Sequence, residues 1–160
     1  MTEDFMQRVW RLLRYAGDET VRRYEAAVAA DAVAALIALL LDEREEPPVR
    51  KLAATLLGEA RDARAVAPLT QALHDADPVV RARSALALGE FAEAGPEVTA
   101  QLIEALGDED YYVRECGAKA LGKLRCAEAL PALREMSERD EVSTNREVAR
   151  EAVEAIEGGA

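Results

Sequence analysis

The sequence predicts an all-α fold, a right-handed α-solenoid of stacked antiparallel helix pairs, and three observations carry that prediction. Val49-Arg50, Val80-Arg81 and Val113-Arg114 recur at spacings of 31 and 33 residues. Each pair opens an apolar-periodic run that closes on Leu57-Gly58, Leu88-Gly89 or Leu121-Gly122. A worn fourth copy follows, with Arg146 in the arginine's place and Ala152-Val153 where Ala120-Leu121 stood. Repetition at this period marks an array whose units each shelter their apolar side on the next. Composition agrees: half of the residues are hydrophobic but only 4% aromatic. Alanine, leucine, glutamate and arginine favour helix, and β-branched residues are sparse.

The elements follow in chain order. Helices are expected over about Thr2–Tyr15, over about Asp18–Ala30, and through Leu36, Leu40 and Leu41. Asp18…Val21-Arg22 looks like a decayed repeat start, and Leu36 and Leu40 match Leu69 and Leu73 at a spacing of 33. Residues 1–45 therefore read as an N-terminal cap plus one degenerate repeat, since end repeats are atypical. Residues 46–157 form the array, and 158–160 a frayed tail. The first full repeat runs from Pro48 to about His74, its second helix beginning near Asp62. The next opens on Asp77-Pro78, an N-cap followed by proline at the first helical position. Its second helix follows the Ala94-Gly95-Pro96 break. The third repeat runs from Asp110 to about Glu138. Ser143 or Thr144 is expected to cap the last helix, which ends at Ile156. Pro68, Pro96 and Pro131 fall in the first turns of second helices, where a missing N–H does no harm. Gly58, Gly89 and Gly122 are unfavourable inside helices and mark either a close helix approach or a helix end. Ala53, Ser84, Gly117 and Ala149 share a small-residue column, and Leu57, Leu88, Leu121 and Val153 a large one.

Charge and motifs exclude several function classes. The net charge of −11 leaves no basic stripe for a phosphate backbone, so no nucleic-acid partner is expected. The apolar stretch Ala26–Leu41 is interrupted by Asp31 and too short to span a bilayer. The N-terminus has no signal-peptide shape, and Cys116 and Cys126 form no disulfide framework, which fits a reduced, cytoplasmic setting. Cys116 reads as a small buried hydrophobe and Cys126 as partly exposed. His74 is the single histidine, so neither a zinc site nor a Ser-His-Asp triad can be assembled. The acidic clusters Asp108-Glu109-Asp110 and Asp140-Glu141 lack the spaced ligands and glycine of a calcium loop. No glycine-rich phosphate loop is present. No catalytic residue, metal or cofactor is expected.

The signatures of tetratricopeptide and ankyrin repeats are absent. The Asp77-Pro-Val-Val-Arg81 start, the Ala87-Leu-Gly89 end and Ala65-Val-Ala-Pro-Leu69 instead resemble the short HEAT-like repeats first recognised in phycobilisome lyases. The resemblance covers roughly residues 45–157. It implies a ladder of ion pairs holding successive turns, with Asp77 beside Arg81, Asp110 beside Arg114, and Arg50 and Arg146 in the same column. Glu46 stands where Arg50 needs an aspartate, so a weaker rung is expected there. Asn145 replaces a usual valine, so looser packing is expected in the last repeat. It also implies that the Val-Arg helices line the concave side and the second helices the convex side.

A groove floor is expected from Lys51, Thr55, Ala82, Leu86, Glu115 and Lys119, mixed in charge and moderately apolar. Tyr111-Tyr112 replaces Pro78-Val79 at the mouth of a first helix; one tyrosine should pack inward and the other offer a contact surface. Trp10, on a first helix apolar on more than one face, seals the end of the stack or binds a partner. The resulting expectation is a non-catalytic scaffold or adaptor that binds a protein or peptide on its concave face. The alternative is a bilin-lyase-like or chaperone subunit acting on a cofactor-carrying protein. The partner's identity and the oligomeric state stay open.

Overall fold

The computed structural model describes residues 2–92 and 95–158; Met1, Ala94 of the expected break and the last two residues of the expected tail lie outside them. Ten α-helices run through the described residues: α1 Glu3–Ala16, α2 Asp18–Ala30, α3 Ala32–Leu41, α4 Pro47–Ala60, α5 Val66–Gln71, α6 Pro78–Leu88, α7 Gly95–Glu104, α8 Tyr111–Leu124, α9 Leu130–Arg139 and α10 Ser143–Glu157. Single 3₁₀ turns precede or follow the second helices, at Ala63–Ala65, Ala72–His74, Ala105–Gly107 and Ala127–Ala129.

Local chemistry fixes the helix ends. Asp31, Asp77 and Asp110 accept backbone N–H groups of the first turns of α3, α6 and α8. These satisfy donors that a helix cannot pair internally. At the C-termini of α4 and α8, Arg61 and Arg125 take the left-handed conformation at φ 50° and 51° and turn the chain into its second helix. Neither Ser143 nor Thr144 caps α10. Val142 is the N-cap, and its aliphatic side chain makes no capping bond; its own N–H donates to the Asp140 carboxylate at 2.8 Å.

The helices form two rows. α4, α6, α8 and α10 pack in succession, and the second helices α3, α5, α7 and α9 lie behind them. Between the rows run two fully buried leucine columns: Leu36, Leu69, Leu102 and Leu133 from behind, and Leu57, Leu88 and Leu121 from the front. Each such leucine contributes roughly 1.5–3 kcal/mol by leaving water. No single helix pair can bury both of its sides, so these columns make the stack one core.

The glycine column is a close-approach device. A Cβ placed on Gly58, Gly89 or Gly122 would stand 2.9 Å from the Cα of Ala87, Ala120 or Ala152 respectively. The Val-Arg helices are thus drawn together nearly backbone to backbone. The second helices stand apart, with a cleft of 680 Å³ between α5 and α7. Unequal spacing of two layers bends a stack toward the tighter one, which places the Val-Arg helices on the inside of the curve.

The N-terminal helices depart from the repeat expected for them. α2, which carries the decayed start Asp18…Val21-Arg22, packs on α1 and α3, and α1 is the helix that lies against α4. α4 carries Leu56 at the register of Ala87 and Ala120, and α1 has no glycine to face it, so the close approach used elsewhere is unavailable there. Asn145, expected to loosen the last repeat, is held through its amide nitrogen while its Oδ1 is buried without a partner. It is fully buried and its Nδ2 donates to the Tyr111 carbonyl at 3.0 Å and to Asp140 Oδ2 at 3.3 Å, tying α10 to the start of α8.

Asp77 caps α6 through its bonds to Val79 and Val80 N–H at 2.9 and 3.2 Å. Asp77→Ala is expected to cost about 1 kcal/mol, read as a lower urea midpoint at unchanged slope.

Candidate interaction surface

The turns that join the repeats are held by arginine, but not to the aspartates expected. Arg81 Nε and Nη2 grip Asp108 Oδ2 and Oδ1 at 2.8 and 2.9 Å, while its Nη1 reaches back to the carbonyls of Asp75 and Ala76 at 3.0 and 3.3 Å. Arg114 repeats this with Asp140 at 2.7 and 3.1 Å and with the carbonyls of Asp108 and Glu109 at 3.0 and 3.1 Å. Arg50 pairs with Asp75, not Glu46, through Nη1 alone, and its buried Nε has no partner, so this rung is weaker than the two that follow, as expected. Arg146 binds the carbonyls of Asp140 and Glu141 at 2.6 and 3.4 Å. Asp77 and Asp110 are not rungs, because their carboxylates are occupied as helix caps. The bridging column is Asp75, Asp108 and Asp140. Each of its members also closes its own turn by accepting the N–H two residues ahead.

Asp42 belongs to the same column, at spacings of 33, 33 and 32. Its partners differ: Arg44, Arg23 and the Tyr24 hydroxyl. Beside it, Thr20 donates to the buried Glu45 at 3.0 Å and Arg23 reaches the same carboxylate at 2.6 Å. Burial and the bond to Asp42 push the Tyr24 phenol up to about 12.

The rungs are nearly buried, which makes them electrostatically strong. The Arg114 fork holds Asp140 below the usual carboxylate range against its burial. At Asp108 burial pushes upward, but the Arg81 fork and the Asp110 N–H outweigh it and the net direction is down. A carboxylate depressed in the folded state adds stability above its unfolded pKa and loses it as pH falls through its folded one. Stability should therefore be level from pH 7 to about pH 5 and fall steeply below about pH 4. Urea midpoints across this range test it. An Asp108→Asn, Asp140→Asn double variant with the same acid slope as the parent would remove the ladder as its cause.

On the exposed side of the inner row, the residues expected to form a groove floor mostly share one strip. Thr55 and Leu86 line one small cleft of 140 Å³ together with Arg83, Glu59 and Glu90. Glu115 and Lys119 continue along α8 as an ion pair. Lys51 lies one turn before Thr55 and is partly exposed. Ala82 drops out, since it is fully buried against the neighbouring helix. Of the paired tyrosines, Tyr112 packs on the core with the Arg83 guanidinium 5.7 Å above its ring, and burial pushes its phenol up. Tyr111 stays 53% exposed.

Ion pairs stitch this strip crosswise. Arg8 Nη2 binds Glu59 at 2.7 Å, Arg61 binds Glu90 at 2.6 Å, and Lys123 reaches Glu90 from α8. The Glu59, Glu90 and Lys123 column escaped the motif-level reading, although its 31- and 33-residue spacing was readable from the same alignment of copies.

Elsewhere the chemistry is structural. His74 Nε2 sits 2.6 Å from Gln101 Oε1 and bridges α5's end to α7. Cys116 is buried, and so is Cys126, contrary to its expected exposure; the latter's Sγ donates to Glu128 at 3.2 Å. Burial raises both thiols, which disfavours the reactive thiolate. No cluster of metal-binding side chains occurs among the described residues. None of their helices is long and apolar enough to cross a membrane.

A two-row helical stack with a buried ladder and a patterned inner strip defines a helical-repeat protein of the solenoid class. More narrowly, the chain belongs to the HEAT repeat family, whose model matches residues 7–89 and again 66–154. It is similar to a solved structure of the complex of CpcE and CpcF of phycocyanin lyase from Nostoc sp. PCC7120, at 30% identity and a TM-score of 0.66 over 78% of this chain. This chain spans 53% of that one's length. It also shares its fold with a designed armadillo repeat protein solved in complex with the peptide (KR)4, at 24% identity and a TM-score of 0.63 over 97% of this chain and 77% of that one. No curated protein matches it in sequence.

Proposed function

We propose that this chain is a non-catalytic scaffold that binds a partner protein or peptide along the inner strip, through Lys51, Thr55, Leu86, Tyr111, Glu115 and Lys119, with Tyr112 packed beneath Tyr111's end of it. The observation that carries the reading is a single surface, running across α4, α6 and α8, in which half-buried apolar side chains alternate with paired charges. Such a surface suits a polypeptide, with apolar anchors for side chains and polar groups for register. It offers no deep apolar concavity with convergent polar groups, as a small substrate needs.

Tyr111 and Tyr112 separate contact from packing. Tyr111→Ala should leave stability within about 0.5 kcal/mol and weaken partner binding about tenfold. Tyr112→Ala should lower stability, because its ring fills space beside Arg83 and the core. Affinity capture from the source cell with the parent and each variant, followed by titration of the recovered protein, makes the measurement. Equal affinity of the parent and Tyr111→Ala removes this tyrosine from the site.

The likeness to the phycocyanin lyase complex favours a second reading, a lyase-like or chaperone subunit that works beside a partner array. Under it, adding a linear tetrapyrrole shifts the pigment's visible absorbance; an unchanged spectrum retires it.

A further inference from the structure

The glycine–alanine contacts draw the inner helices together from α4 to α10, leaving a 140 Å³ cleft between α4 and α6, but the flank of α4 that faces α1 is more open. There Leu56 replaces the alanine of the later copies, and α1 offers Leu12 and no glycine. The two leucines are nearly buried against the core, and they hold the helices apart. Between them lies a cleft of 300 Å³ with Leu52 and Thr55 on one wall and Tyr15 and Arg11 on the other. Its volume is at the lower end of ligand-sized cavities and suits one bulky side chain rather than a cofactor.

Its rim has a charge opposite to that of the molecule. The chain carries −11 overall, yet no carboxylate lines this cleft, and two arginines do. Arg8 is engaged by Glu59. Arg11 lies exposed, one turn from the Tyr15 ring, which is itself 64% exposed. An aromatic ring left in water beside a guanidinium, at the mouth of an apolar slot, is the composition of an interface hot spot. Thr55 lines this cleft and the smaller one beside Leu86, so the slot is the end of the inner strip.

We infer that the α1–α4 cleft is an anchor site for a peptide that presents one large aliphatic or aromatic side chain flanked by carboxylates. The inference rests on the scaffold reading and adds the chemical class of the partner and the place where it is anchored. The apolar side chain fills the slot between Leu12, Leu52 and Leu56, and a neighbouring carboxylate pairs with Arg11. Binding should weaken with salt, because the rim is exposed.

The probe is a fluorescein-labelled acidic peptide, Glu-Glu-Phe-Leu-Glu-Glu, titrated with the intact protein and followed by anisotropy. Saturable binding is expected. It should weaken about tenfold in Arg11→Glu and in Tyr15→Ala. Both side chains are exposed, and a circular dichroism melt checks that both variants stay folded. Replacing the peptide's glutamates by lysine, or its Phe-Leu by Ala-Ala, should abolish binding. Absence of saturable binding overturns the proposal. So does binding that ignores Arg11→Glu and Tyr15→Ala; if that binding falls with Tyr111→Ala, the scaffold reading stands and only the anchor site is lost. Self-association in sedimentation that Arg11→Glu abolishes would also overturn it, by making a second copy of the chain the occupant.

Discussion

Gly89→Val is expected to lower the stability of this protein by about 3 kcal/mol, a fall in melting temperature of roughly 6–12 °C. The physical conflict is local. An added Cβ meets the Ala120 backbone Cα at 2.9 Å, and a backbone atom cannot swing aside as a side-chain tip can. α6 and α8 must separate, and the contacts beneath them loosen on both sides. Gly89→Ala is the sharper comparison. Gly89 is the C-cap of α6 at φ −63°, a conformation alanine adopts freely, so the loss of unfolded-state freedom alone would stabilise by about 0.4–1 kcal/mol. Here the overlap should outweigh the gain and the sign should be negative. Gly107→Ala is the control, because a Cβ there meets nothing within 4 Å. Thermal melts of the three variants decide the matter. If Gly89→Ala melts at or above the parent, the close approach is not what sets the spacing of the inner row.

Asp108→Ala is expected to cost about 3 kcal/mol, because it strands the nearly buried Arg81 guanidinium without its carboxylate. The same change at an exposed pair should do nothing measurable, and Glu135, which meets Arg139 on the surface of α9, supplies that comparison. The ladder also predicts non-additivity. Arg81→Met and Asp108→Ala remove the same interaction, so the double variant should be less destabilised than the sum by about 2 kcal/mol. Glu135→Ala, at an exposed pair on α9 that shares no partner with either, should be additive with both. Chemical denaturation of the full cycle tests this. Additivity between Arg81 and Asp108 would mean that the fork contributes geometry without energy.

The repeat itself was legible because it is written in spacing. The Val-Arg pairs, the Leu-Gly ends and the matched small and large columns located the helices from α4 onward and the leucines of the core. The ladder was half legible. The arginines were found, but their partners were sought within the same start motif, at Asp77 and Asp110. Those aspartates lie close in sequence and cap their own helices. The partners in space are 26 or 27 residues ahead in the chain, at Asp108 and Asp140. A long guanidinium crosses from one turn to the next, a distance that motif spacing does not measure. The column of Asp42, Asp75, Asp108 and Asp140 carried that information at the period of the repeat.

Among the surface residues, Thr55 and Leu86 come together as the copy alignment implies, while Ala82 does not join them. Alignment gives the column a residue belongs to, and the tilt of each helix decides whether that column faces water. Asn145 was misjudged in part, for a related reason. A polar residue in an apolar column loosens packing when unpaired; here the Tyr111 carbonyl and Asp140 pair its amide nitrogen, and its Oδ1 stays unpaired.

The order of helices, their pairing from α4 onward and the burial of the leucine columns came from the sequence alone, since periodicity and capping act over a few residues and repeat. Which aspartate an arginine holds, that α1 instead of α2 lies against α4, and that a slot opens beside Leu56 were decided only in three dimensions. Each depends on how closely two backbones can approach, and a single change from alanine to leucine resets that distance.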